Sequence, residues 1–148
     1  MTTIYLRSTE GAPLTHTKVD DNFSNLKSDK CGTTTADDGG AVIQTTSKST
    51  AVTLNKICGT ISMEEAGAMA TNAIESFTFN NNKIAATDII VITHISGDTI
   101  GDIFVQCVAT GGGTATVYVK NVSGAEIAAQ STDAHIKFRF IVVKATAG

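Results

Sequence analysis

The chain has 148 residues and a mass of 15.3 kDa, the size of one domain. Folding at this mass takes roughly 22,000 Å² of accessible surface down to about 7,000 Å², enough for a core without disulfide staples. With 17% charged and 42% hydrophobic residues a wholly disordered chain is excluded, and a net charge of −3 supplies no basic field to displace counterions from nucleic acid.

Threonine occurs 23 times, isoleucine 15 and valine 11, against four leucines. β-branched side chains lose rotamer freedom in helices and pack well on a pleated surface, whereas helical cores draw on leucine. The expected class is therefore all-β: an antiparallel β-sandwich or barrel-like body, preceded by an extended arm with one short helix. Residues 1–30 form that arm, 31–49 a linker and 50–148 the body.

In the arm, Ile4, Tyr5 and Leu6 are extended and residues 8–13 carry turn chemistry. Thr15 caps a short helix over 16–27, placing Val19, Phe23 and Leu26 on one face. Lys18 stands where a capping box needs an acid. A helix this short is marginal alone, so its apolar face rests on the body or on a partner.

The linker is rich in Gly, Thr, Ser and Asp, with a possible strand at 41–44. Strands are then expected at 50–54, 58–63, 74–79, 89–95, 102–109, 115–122 and 135–144, with Gly-rich punctuation between the later ones. Residues 80–82, three asparagines, read as a tight turn tolerant of positive φ. Residues 62–70 read as a loop or a single turn, because Gly67 interrupts their helix formers. The last strand is the clearest, with Ile136, Phe138, Phe140 and Val142 on one face and Lys137 and Arg139 on the other. Connections too short for helical crossovers favour antiparallel pairing.

The apolar runs at 89–92 and 140–143 are too short to span a bilayer, and the first fifteen residues lack an apolar signal core, so neither membrane anchoring nor secretion is expected. Cys31, Cys58 and Cys107 form no CxxC pair, and Cys107 reads as a small buried hydrophobe. Synthesis in a reducing cytoplasm fits this usage.

Catalytic chemistry finds little to work with. His16, His94 and His135 lack metal-pair spacing. His94, Ser96 and Asp98 match the residue types of a hydrolytic triad, yet a polar turn after a strand explains them more simply. Asp98 and Asp102 lack the dense alternating acids of a calcium loop, and residues 111–113 lack the Lys and helix of a phosphate loop. The pairs Asp20-Asp21, Asp37-Asp38 and Glu64-Glu65 read as solvated acids rather than paired glycosidic carboxylates. Six Phe, two Tyr and no Trp lend no support to a sugar-stacking platform. No catalytic residue, metal or cofactor is expected.

The stretch LRSTEGAPLTH at 6–16, followed by Val19, Asp20, Asn22, Phe23 and Leu26, resembles the amino-terminal tag of tailed-bacteriophage structural proteins, especially tail-fibre-like ones. Lys18 departs from that pattern, which has an acid there. The segments VTLNK at 52–56, CGTISM at 58–63, SFTFNN at 76–81, IAATDIIVITH at 84–94, VKNVSG at 119–124 and FIVVK at 140–144 are similar to a small β-rich module of phage virion proteins. The resemblance implies a non-enzymatic virion component. With no shaft repeats, its brevity suits a capsid cement (decoration) protein on the outer shell, commonly a trimer at lattice symmetry axes. The implied partners are the major capsid protein and copies of itself, with no nucleic acid and no membrane. The arm would be the clamp, through Ile4, Leu6, Pro13, Leu14, Val19, Phe23 and Leu26. The alternative is a tail-associated or receptor-binding protein carrying the same module.

Overall fold

The computed structural model describes residues 39–64, 67–129 and 135–145, together with Thr15 and Thr17. The arm residues Ile4, Leu6, Pro13, Leu14, Val19, Phe23 and Leu26 lie outside the described residues, as do most of the expected helix and Cys31.

From residue 39 onward the described regular structure is all strand: β1 (Ala41–Ile43), β2 (Val52–Thr53), β3 (Cys58–Ser62), β4 (Ile74–Asn80), β5 (Ile89–Ser96), β6 (Ile103–Gly111), β7 (Thr114–Asn121) and β8 (Lys137–Val143). Each expected strand of the body is present, and the possible strand at 41–44 is β1. Among the described residues between β3 and β4, Met69 forms an isolated bridge with Ile127.

The strands form two four-stranded sheets, ordered β1-β3-β8-β5 and β2-β4-β7-β6. Both are mixed, which corrects the antiparallel expectation: β1 pairs parallel with β3, and β2 with β4. The physical reason lies in the route of the chain. From β1 to β6 each successive strand changes sheet, so β2 carries the chain from β1 to its parallel neighbour β3. A strand of the facing sheet serves as the crossover, and no helix is needed. Only β6 and β7 are consecutive within one sheet, as an antiparallel hairpin.

The expected alternation appears as burial. Ile136, Phe138, Phe140 and Val142 are buried from the first sheet, and Ala115, Val117 and Val119 from the second. All belong to one hydrophobic cluster, so the sheets share a single core as two layers. Phe79 of β4 meets Phe140 of β8 edge to face across the layers, with ring centroids 4.8 Å apart. Gly59 on β3 is required by this packing, because a Cβ there would sit 2.6 Å from the Gly40 carbonyl oxygen.

The three asparagines after β4 also differ from expectation. None of Asn80, Asn81 and Asn82 has a positive φ. Instead the Asn81 side chain organises the turn: Oδ1 accepts from the Lys83 amide at 3.0 Å, and Nδ2 donates to the Lys56 carbonyl at 2.7 Å.

Phe140→Ala should cost about 3–5 kcal/mol in urea unfolding, as truncation of a fully buried aromatic does. Val143→Ala, on the exposed side of the same strand, should cost under about 1 kcal/mol. Equal losses would contradict this assignment of faces.

Candidate functional site

β5 ends in a bulge between His94 and Ser96, and its core-facing side places the His94 ring beside Phe138, centroids 6.1 Å apart. His94 Nε2 lies 3.0 Å from the Ser96 carbonyl oxygen and 2.6 Å from that of Gly97. Two carbonyl neighbours make Nε2 the protonated nitrogen, donating to the turn. Nδ1 is buried with no partner. The histidine thus staples the turn through Nε2. Ser96 and Asp98 are exposed beyond it. Gly97 is needed there: its φ is +79°, and a Cβ would lie 2.1 Å from the His135 carbonyl oxygen. His135 itself uses Nδ1 on the Met63 carbonyl, at 3.0 Å.

The other expected sites resolve in the same way. In the 111–113 loop, Gly113 donates its amide to Ile84 O and accepts from the Asn81 amide, each at 2.9 Å, so this backbone belongs to the neighbouring loop. Cys107 is buried in the core as expected, and burial pushes its thiol up to about 12, which keeps it protonated and unreactive at neutral pH. Among the described residues no three His, Cys, Asp or Glu side chains gather as a metal site, and no helix is long and apolar enough to cross a membrane.

Sequence reading missed the buried polar groups. Asn121 donates Nδ2 to the carbonyls of Met69, Ala70 and Ala125 at 3.0, 3.1 and 2.7 Å. Its Oδ1 accepts from the Ser123 amide and hydroxyl at 3.0 and 2.7 Å. Gln44 donates Nε2 to Lys48 O and Thr50 O at 2.9 and 2.6 Å and accepts from the Glu64 amide at 3.1 Å. Asp88 accepts the Ala85 amide at 2.7 Å, the Ala145 amide at 3.1 Å and the Lys144 ammonium, clamping the chain after β8 to the loop before β5. Lys144, foremost, and then the Ala85 amide hold the Asp88 carboxyl below the usual carboxylate range.

It also missed the outer face of the second sheet. β4, β7 and β6 turn Ile74, Lys120 and Phe104 outward in one row and Ser76, Tyr118 and Gln106 in the next. Ile74, Phe104 and Tyr118 are 62, 56 and 43% exposed. With Gln106 and Lys120 they line a shallow depression of ≈ 290 Å³. Further along lie Thr78, Thr116 and the exposed Val108. Lys120 is the one charged residue that these three strands turn outward. The sequence signal was β6 itself, where Phe104 and Val108 make the parity opposite Ile103 and Cys107 apolar as well. Chemically this face can bury apolar and aromatic surface against a partner.

Comparison with protein-family models, curated proteins and solved structures returns no match.

The Asp88 clamp predicts a pH dependence. A carboxyl with a folded value below its unfolded one contributes stability above the unfolded value of about 3.9, lost as pH falls through the folded value. Asp88→Asn should be less stable than the parent at pH 7 and lose less on acidification from pH 5, read by thermal unfolding. Parallel pH profiles for the two would contradict the clamp.

Proposed function

We propose that this chain is a non-enzymatic structural protein of a tailed-phage virion, a capsid cement protein made in the host cytoplasm and placed in many copies on the outer capsid surface. Its partners are the major capsid protein and copies of itself, as a homotrimer. The role calls for no cofactor, nucleic acid or membrane. The observation that carries the reading is the arm sequence, LRSTEGAPLTH followed by Val19, Asp20, Asn22, Phe23 and Leu26. In this reading a two-layer β body carries an arm with one short helix, and Ile4, Leu6, Pro13, Leu14, Val19, Phe23 and Leu26 clamp the shell.

The body supports the reading through its surface composition. A sheet face with aromatic and aliphatic side chains and a single charge has the make-up of an interface core rather than of a solvated face. Cement acts by mass action: whatever binds the assembled shell and not its dissociated subunits stabilises the shell, and many modest contacts add.

A second reading, a tail-associated or receptor-binding protein, is favoured by the arm sequence, which resembles especially that of tail-fibre-like proteins.

The test is co-sedimentation of the full chain with shells assembled from the major capsid protein. The parent chain should pellet with the shells, and Phe23→Asp with Leu26→Asp should remain in the supernatant while keeping the parent's circular dichroism. Equal pelleting of the double variant would remove the arm from the clamp.

A further inference from the structure

The four strands that end the two sheets are not alike. β1 and β2 have three and two residues, whereas β5 and β6 have eight and nine. Sheet edges are ordinarily blunted by brevity, charge, proline or a bulge, because an open edge recruits another strand. β6 bulges only past Ala109, and none of its residues is charged or proline. Its register with β7 is unbroken over 103–109, against 89–94 for β5 with β8.

The ladder fixes which backbone groups of β6 lie open. The Val122 amide donates to the Asp102 carbonyl at 2.8 Å, so in this register Phe104, Gln106 and Val108 exchange hydrogen bonds with β7. The amides and carbonyls of Ile103, Val105, Cys107 and Ala109 point the other way, and none has a partner among the described residues.

We propose that β6 pairs antiparallel with β6 of a second copy of this chain, about a two-fold axis at Gln106, joining the two second sheets edge to edge. This goes beyond the virion reading and does not rest on it. A two-fold contact closes on a pair, so it neither builds nor replaces a trimer.

Self-complementarity of the strand selects both the occupant and the register. Centred on Gln106, the pairing sets Ile103 against Ala109, Phe104 against Val108 and Val105 against Cys107, with Gln106 against itself. The open residues fall opposite one another, as hydrogen bonding requires, and supply about eight backbone hydrogen bonds. Apolar side chains meet apolar ones, an aromatic meets a β-branched residue, and the two carboxamides can each donate and accept. Centres at Val105 or Cys107 keep the bonding but set Gln106 against Phe104 or Val108, and they use less of the regular stretch 103–109.

Charge permits the same contact. Lys120 is opposite Phe104, so in the joined sheet the two Lys120 positions stand three strands and four residues apart, roughly 20 Å, beyond a screening length of about 8 Å. Asp102, just before β6, falls opposite Thr110 rather than a second acid. β5 runs beside β6 in the facing layer and has no Lys, Arg, Asp or Glu, so it brings no like charges to the partner's β5.

Disulfide trapping in the full chain reads this register. The background carries Cys31→Ser and Cys58→Ser, keeps the buried Cys107, and serves as the control. Gln106 meets itself at a non-hydrogen-bonded pair, where Cα atoms are about 4.5 Å apart, a spacing that a disulfide spans. Gln106→Cys should therefore cross-link to a dimer on a non-reducing gel under mild oxidation. Phe104→Cys and Val108→Cys should each stay monomeric alone and cross-link to each other when mixed. Adding Val105→Pro to Gln106→Cys should abolish the dimer with unchanged circular dichroism, since that amide points to the open edge and not into the ladder with β7. Should the proline unfold the chain, Phe104→Lys with Val108→Lys sets like charges opposite one another and should have the same effect. Three results would each overturn the proposal: a Gln106→Cys chain that cross-links no more than the background, a Phe104→Cys chain that cross-links equally well alone, or a dimer that survives in the folded Val105→Pro variant.

Discussion

The carboxamides of Gln44, Asn81 and Asn121 bind together a fold whose chain keeps changing sheets. Loops beside several of the crossings give backbone groups to these side chains, and a buried group left unsatisfied costs about 1–3 kcal/mol. A carboxamide is suited to this, since it offers two donors and an acceptor without a charge to desolvate. Gln44 holds the 48–50 loop and the chain after β3, Asn81 ties the turn after β4 to Lys56, and Asn121 joins the approach to β4 with the turn after β7. These three are buried as deeply as Phe79, Phe138 and Phe140. Thr46, a β-branched residue at φ 82°, sits inside the loop that Gln44 holds, where the surrounding hydrogen bonds fix a conformation that Thr rarely adopts.

Much of the strand content was legible because period-two alternation is local. Ile136, Phe138, Phe140 and Val142 declare a core face without knowledge of what they pack against. Sheet membership is not local. Nothing in 41–43 or 52–53 reveals that these short strands join different sheets, each parallel to a strand that arrives later. The buried amides were illegible for a related reason. Asn and Gln usually mark solvated turns, and Asn121 gains its burial from Met69 and Ala70, about fifty residues away in sequence. At residues 80–82 the chemistry was turn chemistry, but it acts through the Asn81 side chain rather than through a left-handed backbone.

The candidate site divides along the same line. His94, Ser96 and Asp98 were readable as a polar turn, and the His94 hydrogen bonds to the turn carbonyls give that reading its geometry. The apolar outer face required the register. Ile74, Phe104 and Tyr118 are far apart in sequence, and only the β4, β7 and β6 pairing sets them side by side around Lys120. What unites the described features is a single core with hydrogen-bonded loops around it and exposed apolar side chains on the outer face of the second sheet.

The virion reading is tested most directly by copy number, measured by quantitative mass spectrometry on purified virions against the most abundant shell protein. Cement predicts a ratio near parity, because only the shell lattice offers that many sites. A few copies per particle would contradict cement and favour a place on the tail, and absence from the particles would contradict the virion reading altogether.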